Sequence, residues 1–143
     1  MVYNFGKASL RSRAQLHPKL RAIVDEVILE VDFRILDAVR GRIAQEKAFA
    51  QGFSKVHFGN SAHNYVPAVA MDLFPAPYDW NNKKAFITLS KVVFKVADKH
   101  KTAIRWLGDP NRDGNLGDGW DFPHFELHPW RDWAKKSKLY EED

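Results

Sequence analysis

The sequence predicts an α+β fold in which helices flank a small, mostly antiparallel sheet. Two observations carry this. Apolar residues recur at helical spacing in two stretches: Leu20, Ile23, Val24, Val27, Ile28 and Val31, then Phe86, Leu89, Val93, Val96 and Ala97. Between and after them lie only short strand-like runs, the clearest being His124-Phe125-Glu126-Leu127-His128, which alternates polar with apolar as a half-buried strand does.

Taken in order, residues 1–16 are polar and read as a lead-in arm. His17-Pro18 fits a helix start, with proline near the first turn, and the first apolar series follows it. Residues 33–39 read as a short strand, and 42–50 as a second helix that ends near Gly52. Residues 53–82 are rich in turns, with a strand around Val69–Leu73. A helix over 83–100 comes next, then a strand at Ala103–Trp106 and a Gly/Asp/Asn loop over 107–119. After the His124–His128 strand the tail from Pro129 is charged and carries Trp130 and Trp133, for which packing on the core is the favoured role.

A chain of 143 residues, 45% hydrophobic and 13% aromatic, is expected to be one domain with a real core and no separate binding module. No apolar run approaches a membrane span, and the N-terminus lacks an apolar signal-peptide core, so synthesis in the cytoplasm is expected. The absence of cysteine excludes disulfides, thiolate metal sites and cysteine nucleophiles. Any metal must sit on His, Asp or Glu, which favours zinc or a harder ion. The net charge of +4 suits a polyanionic partner, but the basic residues are dispersed and form no nucleic-acid motif.

Two segments hold the residues that can do chemistry. Ser61-Ala62-His63 runs to Asp72, and Asp121-Phe122-Pro123-His124 follows much later. Together they offer two imidazoles, a carboxylate and a second carboxylate nearby. A catalytic zinc site needs that inventory: three protein ligands, an open position and a base. Taken singly, each residue has a plainer role. Asp72, between Met71 and Leu73, could be salt-bridged, and Asp121 could end a turn. Alternation along the last strand also permits a competing metal set, His124/Glu126/His128, although Glu126 fits better as a group that orients a ligand imidazole. Arg40, at a strand end, could hold a substrate carboxylate or an oxyanion, or could be a solvated surface arginine. Asp109, Asn111 and Asp113 make the D-x-N-x-D-G opening of a Ca2+ loop, but Trp120 stands where such a loop needs Glu; a surface turn is the favoured reading and Ca2+ binding the alternative.

In order and spacing these residues resemble the zinc D-alanyl-D-alanine carboxypeptidase / L-alanyl-D-glutamate endopeptidase family, above all its phage endolysin branch. The resemblance rests on Ser61-x-His63 with Ala70-x-Asp72 and on Asp121-x-Pro123-His124-Phe125-Glu126-Leu127. It extends to Asp37-Ala38-Val39-Arg40 with Gln45, to Ala50-Gln51-Gly52-Phe53-Ser54-Lys55, and to Ile104-Arg105-Trp106-x-Gly108-Asp109. Leu16-His17-Pro18-Lys19-Leu20 is also typical. The His63-to-Asp72 interval is longer than usual in the family and contains Pro67, while Ala38, Gly41 and Leu107 replace residues common there.

The resemblance implies a Hedgehog/DD-peptidase-type fold and one catalytic Zn2+ held by His63, Asp72 and His124. It implies Asp121 as general base and Arg40 as the group that stabilises substrate or oxyanion. Zinc lowers the pKa of its bound water towards ~7, so amide hydrolysis is the expected reaction. His57 and His128 are auxiliary acid/base candidates. The implied substrate is the peptidoglycan stem peptide, cut between L-alanine and D-glutamate. The implied setting is a monomer, with no nucleic acid and no membrane insertion, that reaches the periplasmic wall after a holin-type protein permeabilises the membrane. The alternatives are a D-alanyl-D-alanine carboxypeptidase, a non-catalytic peptidoglycan-binding domain of the same fold and, more weakly, a nucleic-acid-binding domain.

Overall fold

The computed structural model describes residues 3–141 and begins with a helix where the sequence predicts an arm. Helix α1 (Lys7–Gln15) buries only Ser9, and its one large apolar residue, Leu10, is exposed. It therefore has no apolar stripe to read from sequence. Polar contacts dock it instead. Ser9 Oγ accepts from the Ile35 amide at 3.1 Å, Ser12 Oγ donates to the Leu36 carbonyl at 3.1 Å, and Arg13 holds Asp25 through two bonds of 2.7 and 2.6 Å. Met1 and Val2 of the expected arm, and Glu142 and Asp143 of the tail, lie outside the described residues.

Helix α2 (Pro18–Val27) starts as expected: the His17 ring accepts from the Lys19 amide at 3.0 Å, and proline occupies the first turn. Its buried Leu20, Ile23, Val24 and Val27 share one face. Strand β1 (Phe33–Ile35) is shorter than the predicted 33–39, for a reason that belongs to the site. Helix α3 (Arg42–Ala50) follows, burying only Gln45. A 3-10 turn at Ala62–Asn64 leads to β2 (Tyr65–Val66) and β3 (Ala70–Pro75). Helix α4 (Lys83–Lys99) is capped by Asn82, whose side chain accepts from the Ala85 amide at 3.1 Å. Strands β4 (Ile104–Trp106) and β5 (His124–Leu127), helix α5 (Trp130–Ala134) and β6 (Lys138–Leu139) complete the chain.

The main sheet has the order β1-β3-β5-β4, every pair antiparallel. Helices α2 and α4 pack together, and α4 lies on the sheet through β3 and β4. Leu20, Ile23, Phe86, Leu89, Val93, Met71, Leu73, Trp106, Phe125 and Leu127 fill the space between. On β5, Phe125 and Leu127 enter this core, so alternation sends His124 and Glu126 to the opposite face. Both are nevertheless buried.

The tail packs as expected. Trp130 lies 5.9 Å from Tyr65 and Trp133 lies 5.3 Å from His17, ring centre to ring centre, and β6 pairs with β2 in a separate two-stranded ribbon. Among the described residues no helix is long and apolar enough to cross a membrane.

Leu89 of α4 is fully buried in this core. Leu89→Ala is expected to cost about 2–5 kcal/mol, seen in urea melts as a lower midpoint at unchanged slope.

Candidate active site

The register of the two central strands sets two of the site residues. Asp72 on β3 lies opposite His124 on β5, so both side chains leave the sheet on one face as direct cross-strand neighbours. Beside them the ladder between β1 and β3 runs one step further and then slips by a residue. The Leu36 amide donates to the Asp72 carbonyl at 2.8 Å, and the Asp72 amide donates to the Asp37 carbonyl at 2.9 Å. Residues 36–40 then serve His63. The Ala38 carbonyl accepts from His63 Nδ1 at 3.0 Å, and the Arg40 amide donates to the His63 carbonyl at 2.6 Å. The expected strand stops at Ile35 because its continuation brackets these two residues.

His63 sits on the 3-10 turn, which its own side chains close. Ser61 Oγ accepts from the His63 amide at 3.2 Å, and Asn64 Oδ1 accepts from the amides of Ser61 and Gly59 at 3.1 and 2.9 Å. This is a capping box, with both partners satisfied.

Three atoms now converge. His63 Nε2 is 3.2 Å from Asp72 Oδ1 and 3.1 Å from His124 Nδ1, and the third side of the triangle is 3.3 Å. Zinc ligands at about 2.0–2.1 Å in tetrahedral array stand about 3.3 Å from one another, so the triangle has the size of one face of a zinc tetrahedron. The far nitrogens fix the tautomers. A carbonyl can only accept, so the proton of neutral His63 is on Nδ1 and its lone pair on Nε2. His124 Nε2 donates to Glu126 Oε1 at 2.7 Å, which directs the His124 Nδ1 lone pair at the triangle. Glu126 is in turn ion-paired with Arg105 at 3.3 Å.

Lone pairs facing each other at such distances repel unless positive charge lies between them. Without an ion, a proton fills that need. Burial opposes it, but hydrogen bonds to Asp72 and Glu126 raise the His124 pKa to about 10. For Asp72, burial is likewise outweighed, here by the charge on His63 and the hydrogen bond from His124, and its pKa falls far below the carboxylate range. The donor set fits a divalent cation in size, lone-pair direction and charge.

Asp121 is half-buried beside this triangle and takes no side-chain hydrogen bond among the described residues. Burial first, then the charge of Asp72, raises its pKa; His124, His63 and Arg40 act in the other direction. Its backbone is set by neighbours. The buried Trp106 indole donates to the Phe122 carbonyl at 2.6 Å, the Leu73 amide donates to the Pro123 carbonyl at 2.9 Å, and the Trp120 amide donates to the Leu107 carbonyl at 3.2 Å. Gly119 makes this possible, since a Cβ there would lie 1.9 Å from the Leu107 oxygen.

Arg40 is held by a polar network. Its Nη1 donates to Gln45 Oε1 at 3.1 Å, and Nη2 lies 3.6 Å from Asp37. Gln45, fully buried, donates from Nε2 to Ser54 Oγ and the Val56 carbonyl at 2.9 and 2.8 Å. Asn64 Nδ2 completes the network by donating to Gln45 Oε1 at 3.1 Å and to the Arg40 carbonyl at 3.0 Å. Asn64 escapes sequence reasoning: its only signal is a place one residue after His63 in a turn.

The structure thus brings together His63, Asp72 and His124, with Asp121 and Arg40 near enough to act electrostatically on one another. It does not support the competing set His124/Glu126/His128. Glu126 is committed to the far nitrogen of His124 and to Arg105, and β5 ends at Leu127, before His128. His57 is also not at the triangle; it is exposed, 3.1 Å from Glu46 and stacked near Phe49. In the calcium-like loop Asp109 and Asp113 do approach, but the third carboxylate is Asp118, and Asn111 turns its amide nitrogen to Asp113 at 3.1 Å as a donor. Asp109, buried, accepts from the amides of Asp113 and Gly114, and with Asp113 and Asp118 it forms a second group of carboxylates close enough to hold a metal ion.

Comparison with known proteins shows similarity to a family model and to solved structures. The family model described as phage L-alanyl-D-glutamate peptidase matches residues 1–128. The crystal structure of Serratia marcescens L-Ala D-Glu endopeptidase ChiX superposes with a TM-score of 0.65 at 22% identity, over 91% of this chain and 92% of that one, a likeness of fold. No curated protein matches significantly.

Removing the Glu126 carboxylate releases the far nitrogen of His124 and strands Arg105. If the triangle holds a divalent metal ion, Glu126→Ala is expected to weaken its binding by about 10–100-fold, measured by competition with a chromophoric chelator. Asp121→Asn, which touches no metal-facing atom, should bind zinc nearly as wild type does.

Proposed function

The chain belongs to the phage L-alanyl-D-glutamate peptidase family, a hydrolase acting on peptidoglycan, and from that premise we propose that it is a zinc endopeptidase with His63, Asp72 and His124 as the metal ligands. The observation that carries the reading is the triangle of ligand atoms with edges of 3.1 to 3.3 Å and both imidazole tautomers locked. When bound there, zinc supplies Lewis acidity, acidifying a water and polarising a carbonyl.

The chain's own residues supply the rest. Asp121 takes the proton of the attacking water and passes it to the amine of the departing D-glutamyl residue. A carboxylate whose proton affinity is raised by burial and by Asp72 is suited to both halves of that transfer. Arg40 balances the negative charge that develops on the scissile carbonyl oxygen, and its anchoring by Gln45 and Asp37 means that little reorganisation is needed. Glu126 and the Ala38 carbonyl hold the imidazoles in register throughout. The proposal includes action as a single-domain monomer, and passage to the periplasmic wall through a holin-type permeabilising protein in keeping with a phage lysis family.

The test is digestion of purified peptidoglycan with mass analysis of the fragments. Zinc-loaded protein should expose new D-glutamyl amino ends, a chelator should abolish this, and zinc should restore it. Asp121→Ala should lower the rate by about 10²–10⁴-fold with zinc content unchanged. Release of D-alanine alone would mark a carboxypeptidase. Folded, zinc-loaded protein that cuts nothing would mark a binding domain.

A further inference from the structure

The Gln45 network does more than hold Arg40. The side-chain amide that receives Arg40 on its oxygen grips Ser54 Oγ and the Val56 carbonyl with its nitrogen. Lys55 lies between those two anchors, so a buried amide sets the path of the backbone that carries it. The Lys55 ammonium extends to 6.0 Å from the centre of the Trp120 ring. Trp120 is the residue before Asp121 and is 63% exposed. Lys55 and Trp120 thus join the segment after α3 to the loop that presents the general base. Among the described residues Lys55 has no carboxylate partner. A single exposed tryptophan or lysine is ordinary on a protein surface. The weight lies in their pairing across a site whose two sides are otherwise supplied by Arg40 and Asp121.

The substrate class says what a cation in that place would meet. The amine released from an L-alanyl-D-glutamate bond belongs to glutamate. Glutamate has two carboxyl groups, and a chain that continues through one leaves the other free. Unless that carboxyl is amidated, a negative charge therefore lies a few bonds from the scissile nitrogen, on the leaving side. An ammonium without a carboxylate partner of its own among the described residues, within 6.0 Å of the Trp120 ring, is free to meet that charge with a charge-assisted hydrogen bond.

We propose that Lys55, steadied on Trp120, recognises the free carboxylate of the D-glutamyl residue on the leaving side of the scissile bond. This rests on the endopeptidase reading and deepens it. Lys55 determines specificity and takes no part in the proton transfers. Arg40 remains available to the carbonyl oxygen, so the two cations divide the two negative charges of the reacting complex between them.

The test uses two synthetic stem peptides, one with the D-glutamyl carboxylate free and one with it amidated, and zinc-loaded full-length wild type, Lys55→Met and Lys55→Arg. Lys55 is exposed, so all three should melt together. Lys55→Met is expected to lower kcat/KM on the free-carboxylate peptide by about 10–100-fold, mostly through KM, while changing the amidated peptide by less than about twofold. Wild type should prefer the free carboxylate by the same factor, and Lys55→Arg should keep most of that preference. Equal losses on both peptides, no loss on either, or a wild type indifferent to amidation would each overturn the assignment. Wild type that cuts neither peptide at this bond would instead overturn the endopeptidase reading beneath it.

Discussion

The site depends on the register between β3 and β5. Asp72 and His124 face each other because their strands pair at that position and no other. A slip of one residue would turn Asp72 into the core and Met71 out of it, exchanging a carboxylate for a thioether in the triangle and burying a bare carboxylate among apolar side chains. Met71, Leu73, Phe125 and Leu127 hold the register from the core side. The hydrophobic pattern that folds the sheet is therefore the same pattern that aims Asp72 and His124, and the triangle is set by apolar residues that are no part of it.

Around that pair, buried polar groups are used economically. Each imidazole spends one nitrogen on a protein partner and keeps the other for the triangle. The backbone of residues 36–40 forgoes part of a strand to meet Asp72 and His63. Gln45 and Asn64, both fully buried, satisfy one another while fixing Arg40 and the 3-10 turn. Such a network rigidifies a site only when every member is satisfied, and here those members are.

Much of this was legible in sequence, for identifiable reasons. Helices α2 and α4 announce themselves because each buries one apolar stripe, and β5 because its alternation is strict. His63, Asp72, His124, Asp121 and Arg40 were legible as candidates from residue type, and as a set only through motif order. Helix α1 was not legible, since Ser9, Ser12 and Arg13 dock it without apolar periodicity. The early end of β1 was hidden too, because residues 36–39 look strand-like while their hydrogen bonds go to Asp72 and His63. The reach from Asp109 to Asp118 belonged to loop geometry, which spacing alone does not reveal.

Helix α3 buries a single side chain, and that one is polar. Its adhesion to the body of the protein is therefore directional rather than hydrophobic, and the block from Gly41 to about Ser61 contributes no residue to the apolar core. Opening such a block exposes little apolar surface, so its free energy of opening lies well below that of global unfolding. Arg40, just before this segment, and Lys55, further along it, can thus shift while the strands that carry Asp72 and His124 stay folded. Amide exchange in α3 is therefore expected to run on a faster clock than in α4.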